Sequence, residues 1–123
     1  MRNQAILAVT VIGALAIGVA PAFAQTQWNV AVSSYAFAPA TLNIVAGDKV
    51  VWTNVAEIPH EVECHLKVAE GVEPPTCVAD FEGDVDVGQS FSYVFTTPGV
   101  YLINCNLGGM HATMKQVIVV TPF

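Results

Sequence analysis

The chain has 123 residues, 54% of them hydrophobic, and a formal net charge of −6 from ten acidic residues against four lysines and arginines. One small domain is what this length holds, and the acidic balance makes nucleic acid and anionic lipid poor partners while favouring a basic protein or a cation. Nine of the ten acids lie between Glu57 and Asp86, so the charge is also lopsided.

Residues 1–24 carry one positive charge, Arg2, then an apolar run from Ala5 to Ala20, and end on Ala22, Phe23 and Ala24. A short apolar run closed by a small-x-small cleavage pattern reads as a secretory signal peptide. The rival reading, a membrane anchor, needs about 20 apolar residues and no cleavage-type end. The expected mature domain is therefore residues 25–123, exported to a periplasm.

The mature chain has no long helical periodicity. Trp28, Val30 and Val32 alternate with Asn29, Ala31 and Ser33. Residues 42–45 read as a strand, Ala46-Gly47-Asp48 as a tight turn, and residues 50–52 as the next strand. Phe91, Tyr93 and Phe95 share one face by the period of two. Thr97-Pro98-Gly99 is a turn, residues 101–105 a strand, and residues 115–121 a last strand with Val117 and Val119 on one face. Short alternating runs between turn residues predict an all-β protein of about seven or eight strands, packed as a sandwich.

Between residues 66 and 88 the alternation fails. Residues 70–75 have loop chemistry, and Glu82-Gly83-Asp84 reads as another turn. A long irregular loop in a small domain is usually functional or tethered. Three cysteines in an exported chain imply one bridge and one thiol kept for another purpose. Cys105 sits among His and Met residues, so Cys64 and Cys77 are the expected pair.

The densest chemistry follows the strand over residues 101–105. Cys105, Met110, His111 and Met114 fall within ten residues, and His60 follows Pro59 upstream. Singly, each has a plain reading: a buried small hydrophobe, a loop histidine, a core filler. Together, two imidazoles, a thiolate and a weak thioether form the ligand set of a mononuclear electron-transfer copper site. The thioether is Met114 or its rival Met110. Gly108 and Gly109 give the turn the backbone freedom to fold around an ion. By alternation His60, Val62 and Cys64 face one way and Glu61, Glu63 and His65 the other. Glu61, Glu63 and His65 make a candidate weak cation site, although surface His and Glu are more often simply solvated.

The chain resembles the cupredoxins, the small blue-copper proteins. The similarity runs through residues 37–54, through Pro59-His60-Glu61-Val62, and through residues 88–105. It implies a Greek-key β-sandwich with copper near one end, His60, Cys105 and His111 as equatorial ligands, and Met114 as the axial ligand. Two features depart from the family. The turn is Cys-x5-His-x2-Met, longer than plastocyanin-like or azurin-like turns, and Glu61 stands where many relatives have Asn. Glu61 is still able to accept a hydrogen bond from the loop after Cys105. The end of the turn is also similar to the dinuclear copper domain of cytochrome oxidase, but no second cysteine lies in the turn, which implies a mononuclear site.

The expected function is that of a periplasmic one-electron carrier rather than an enzyme. It would be monomeric and would serve a redox partner such as a basic cytochrome or oxidoreductase. Copper tolerance or delivery is the alternative, favoured by the acidic loop and by His65. An oxidoreductase acting on a small substrate fits poorly, because four protein donors leave no open coordination position.

Overall fold

The computed structural model describes residues 24–66 and 77–123. Residues 1–23 of the expected leader and the loop residues 70–75 lie outside the described residues.

Among the described residues nine strands run in chain order: β1 Gln27–Val32, β2 Phe37–Ala38, β3 Thr41–Val45, β4 Lys49–Asn54, β5 His60–Cys64, β6 Phe81–Val85, β7 Ser90–Val94, β8 Gly99–Asn104 and β9 Lys115–Thr121. They form a four-stranded sheet of order β2-β1-β4-β7 and a five-stranded sheet of order β3-β9-β8-β5-β6. Each sheet is mixed. β1 runs parallel to β4 with Val30 opposite Trp52, and β3 runs parallel to β9 with Ile44 opposite Val120. The turn at residues 46–48 therefore carries the chain from one sheet to the other. Gly47 takes a φ of 102° there, and the Asp48 amide donates to the Val45 carbonyl at 2.9 Å.

Alternation decides what is buried. Val30 and Val32, Leu42 and Ile44, Val50 and Trp52, Tyr101 and Ile103, and Ile118 and Val120 fill the space between the sheets. Trp52 stacks on Phe91 with ring centroids 5.9 Å apart and meets Phe81 and Phe95 at 6.2 Å. A buried indole N–H needs an acceptor. The Trp52 Nε1–H donates to Gln116 Oε1 at 2.8 Å, and Gln116 Nε2 donates to the Pro39 carbonyl at 2.8 Å. Since Trp52 lies on β4 and Gln116 on β9, this bond ties the two sheets through the core.

Two strands exceed the sequence expectation, the two-residue β2 and β6. Residues 82–84, expected as a turn, lie inside β6, which pairs antiparallel with β5, Val62 opposite Gly83 and Glu63 opposite Glu82. The glycine is there for packing: a Cβ on Gly83 would run into the ring of Phe91. Phe81 and Val85 point inward and Glu82 and Asp84 outward, so β6 alternates like any half-buried strand.

Antiparallel pairing of β5 with β8, Glu63 opposite Asn104, sets the position of the metal-ligating types. It carries His60, the first residue of β5, past the end of β8 to the turn that follows Cys105.

Candidate metal centre

Two of the donor residues stand at strand ends. Cys105 follows the last residue of β8 and is 2% exposed; His60 opens β5 and is 1% exposed. The loop leading to His60 is held by Asn54, itself buried at the end of β4. Its Nδ2 donates to the Ile58 and Val85 carbonyls, both at 2.8 Å, and its Oδ1 accepts from the Ala56 amide at 2.8 Å. Both hydrogens of its amide and its oxygen are thus engaged, and two of these three bonds fix the loop that leads to His60.

His111 lies in a short 3-10 turn, Gly109–Thr113, between β8 and β9. The turn opens on Gly108 and Gly109, whose φ angles of 84° and 58° belong to the left-handed region that strains other residues. It closes on itself: the His111 amide donates to the Gly108 carbonyl at 3.1 Å, the Met114 amide to the His111 carbonyl at 3.0 Å, and Thr113 Oγ1 to the Met110 carbonyl at 2.8 Å. Met114, immediately before β9, is buried at 1% exposure, whereas Met110 is 60% exposed.

The fold brings three donors together. Cys105 Sγ lies 3.3 Å from His111 Nδ1 and 4.0 Å from His60 Nδ1, and one donor atom from each residue falls within 4.8 Å of the others. Sulfur and imidazole nitrogen around a first-row ion, in one trigonal plane, stand about 3.8 Å apart at their usual bond lengths. The two observed separations bracket that edge, so the donors fit a single ion without large movement. Burial pushes His60 below the ordinary imidazole range, and the neighbouring His111 adds to this. A neutral ring keeps a lone pair for a metal.

Around the sulfur, β5 supplies a donor. The Glu61 amide points at Cys105 Sγ from 3.4 Å, and the Glu61 carboxylate accepts from the Asn106 amide in the loop after the cysteine. The sequence expectation for Glu61 corresponds to this contact. Burial pushes the Glu61 carboxyl up, reinforced by Glu63 beside it and by Glu82, while the Asn106 amide partly offsets them.

One neighbour had no sequence signal. Tyr35, in the loop after β1, sets its ring edge against His111, centroids 5.7 Å apart at 79°. Cys64 and Cys77 form a disulfide with Cα atoms 5.8 Å apart, and Cys105 is a free, buried thiol.

Known proteins point to the same chemistry. Residues 24–121 match the family described as copper binding proteins, plastocyanin/azurin family. Amicyanin-alpha from Methylorubrum extorquens is 32% identical over 120 residues, covering 94% of this chain and 92% of that one. A solved structure of a reduced amicyanin mutant superposes with a TM-score of 0.61 at 25% identity, covering 80% of this chain and 85% of that one. A purple cupredoxin from Nitrosopumilus maritimus gives a TM-score of 0.58 at 20% identity, covering 76% and 99%, a likeness of fold alone. With two mixed sheets, a soft donor set closed at one end of the sandwich and a family match across the domain, the chain belongs to the plastocyanin/azurin family of copper-binding proteins, and its cofactor is copper.

Proposed function

We propose that this protein is a periplasmic one-electron carrier with a mononuclear copper site, in which His60, Cys105, His111 and Met114 would hold the ion. The carrying observation is the convergence of the Cys105 sulfur with two imidazole nitrogens beside a fully buried Met114. Bound copper supplies a Cu(I)/Cu(II) couple. The residues supply the rest. A thiolate suits the reduced ion, imidazole suits both states, and a weak thioether adjusts the potential. Strand ends and a hydrogen-bonded turn hold the donors, so the site changes little on electron transfer. Four protein donors leave no place for a substrate, which favours a carrier over an enzyme.

His111 is the port for the electron, being the partly exposed ligand. Tyr35, Leu107 and Met110 are exposed large apolar residues in the segments around it, suited to brief docking of a redox partner. The acidic field of the domain favours a basic partner, such as a cytochrome or an oxidoreductase, met by a monomer.

The test is spectroscopic. Copper-loaded mature protein is expected to show an intense visible thiolate-to-copper band that Cys105→Ser abolishes; an unchanged band in that variant overturns the assignment. Rapid electron self-exchange is expected of a carrier, whereas sluggish exchange with very tight Cu(I) binding would assign the protein to copper delivery.

A further inference from the structure

Outside the copper centre, a second set of metal-ligating side chains meets on the outer face of β5 and β6. Glu63 and His65 lie two residues apart, and Glu82 stands directly opposite Glu63 on β6. One donor atom from each of Glu63, His65 and Glu82 falls within 4.8 Å of the other two. The sequence grouped His65 with Glu61 and Glu63. The register of β6 brings in Glu82 instead, because residues 82–84 are strand and not turn.

The separations are informative. His65 Nε2 lies 3.5 Å from Glu63 Oε2 and 3.7 Å from Glu82 Oε1. These exceed a direct hydrogen bond between imidazole and carboxylate, about 2.7–2.9 Å. They match the edge of a tetrahedron around a zinc-type ion, about 3.4 Å for bonds near 2.1 Å. The other nitrogen of the ring is engaged separately: His65 Nδ1 lies 3.6 Å from Asp80 Oδ1, and Asp80 Oδ1 also accepts from the Leu66 amide. At 3.6 Å this separation too is longer than a direct hydrogen bond, so Asp80 is a third carboxylate facing the ring.

The carboxylates are also crowded. Glu63 is only 7% exposed, and its partners are His65 at 3.5 Å and the Glu61 side chain, which shares a hydrogen bond with it. Like charges directly across a strand pair are destabilising, yet Glu63 faces Glu82, and Glu61 faces Asp84. Lys115 lines the same recess of about 260 Å³ as Glu63 and His65, and its Nζ donates to Asn104 Oδ1 at 3.1 Å. The base of the cluster is rigid. Cys64 lies between Glu63 and His65 in sequence and is bridged to Cys77, three residues before Asp80.

We propose that Glu63, His65 and Glu82 form a second site, for a divalent first-row cation of the zinc type. One imidazole with two carboxylates and room for water suits such an ion better than the all-oxygen shell that calcium or magnesium takes. The site lies on the opposite face of β5 from His60, and the recess beside it is lined by Cys105 as well.

The experiment is a Zn2+ titration of the copper-loaded protein by calorimetry, with the visible spectrum followed in parallel. The expected result is saturation at one Zn2+ per chain with the copper band intact, and a zinc-edge absorption spectrum showing nitrogen and oxygen neighbours without sulfur. His65→Gln and Glu82→Gln, at exposed or half-exposed positions, are each expected to weaken zinc binding at least tenfold, while Asp84→Asn leaves it unchanged. The proposal is overturned if zinc does not bind or if it binds equally in the His65→Gln and Glu82→Gln variants. It is also overturned if calcium binds as tightly, or if zinc uptake bleaches the copper band and brings sulfur into the zinc shell.

Discussion

The amide of Glu61 donates toward the sulfur of Cys105 across the β5–β8 pair, at 3.4 Å. The same residue holds the Asn106 amide with its carboxylate, so one side of the cysteine loop is stitched to β5 through both the main chain and the side chain of Glu61. A donor at the sulfur withdraws electron density from it, and hydrogen bonding around this atom is one lever on the potential of such a site. In the proposed site, the strand that supplies one imidazole would thus also tune the thiolate.

Met114 and Met110 are separated by burial, 1% against 60% exposed. Met114→Leu is expected to keep the visible band and raise the reduction potential, because losing a thioether donor destabilises the oxidised ion. A shift of at least the ~59 mV that corresponds to a tenfold change for one electron is expected. Met110→Leu should leave the potential unchanged. Redox titration of both variants decides, and the reverse pattern would move the axial role to Met110.

The Cys64–Cys77 bridge closes a loop with a sequence separation of 13. On the chain-entropy account, replacing both cysteines by alanine lowers stability by about 3 kcal/mol. Urea unfolding of the copper-free protein measures this. Thiol titration of the unfolded, unreduced protein is expected to find one reactive thiol, Cys105, rising to three after reduction. Because the bridge is apart from the donors, the double variant should still take up copper and show the visible band.

Asp48 accepts from the Thr26 amide at 3.0 Å, from Trp28 Nε1 at 3.0 Å and from the Val45 amide at 3.1 Å. Burial by itself would raise its carboxyl, but these three donors outweigh that and hold it below the ordinary 3.8. An acid depressed on folding contributes stability that is complete above its unfolded value and lost as pH falls through its lower folded value. Asp48→Asn is expected to cost about 1–3 kcal/mol at neutral pH and to flatten the loss of stability below pH 3.8. Urea midpoints measured from pH 7 downward test it; parallel pH curves for the two proteins would remove Asp48 from the account.

The exposed acids Asp80, Glu82 and Asp84 lie on or beside β6, the edge strand next to the one that opens on His60. Association with a basic redox partner is expected to slow as salt rises, since screening acts over about 8 Å at physiological ionic strength. Asp84→Lys combined with Asp86→Lys should lower the association rate about tenfold at low salt and leave the visible band unchanged. Stopped-flow rates across a salt series measure both effects. Rates indifferent to salt and to these substitutions would assign the acids to guarding a sheet edge against unwanted pairing.

Much of this architecture is legible in the sequence because one face of each strand is buried. Val30 and Val32, Trp52 and Val50, and Tyr101 and Ile103 announce their strands by alternation alone. β6 was not legible, since Gly83 between two acids has turn chemistry, and the ring of Phe91 that demands a glycine there is distant in sequence. At the metal centre, Cys105, His111 and Met114 are close in the chain and visible as a group, and His60 is marked by the strand it opens. Tyr35 carries no such mark, because its contact with His111 depends on a loop in the other sheet's layer. Glu82 was hidden for a different reason: its place opposite Glu63 is a matter of register, which no local pattern states.

Parallel pairing of β3 with β9, from Thr41 opposite Val117 to Val45 opposite Thr121, has a kinetic side. Non-local pairings of this kind are slow to close, because the chain entropy of a long loop is lost before any contact repays it. The turn bearing His111 and Met114 is anchored by β9, so its placement waits on that non-local pairing. Cys64 and Cys77, by contrast, are only 13 residues apart in the chain. Closing so short a loop loses less chain entropy than pairing β3 with β9, so the bridge can form first in an oxidising compartment and leave Cys105 as the one thiol free to meet its metal.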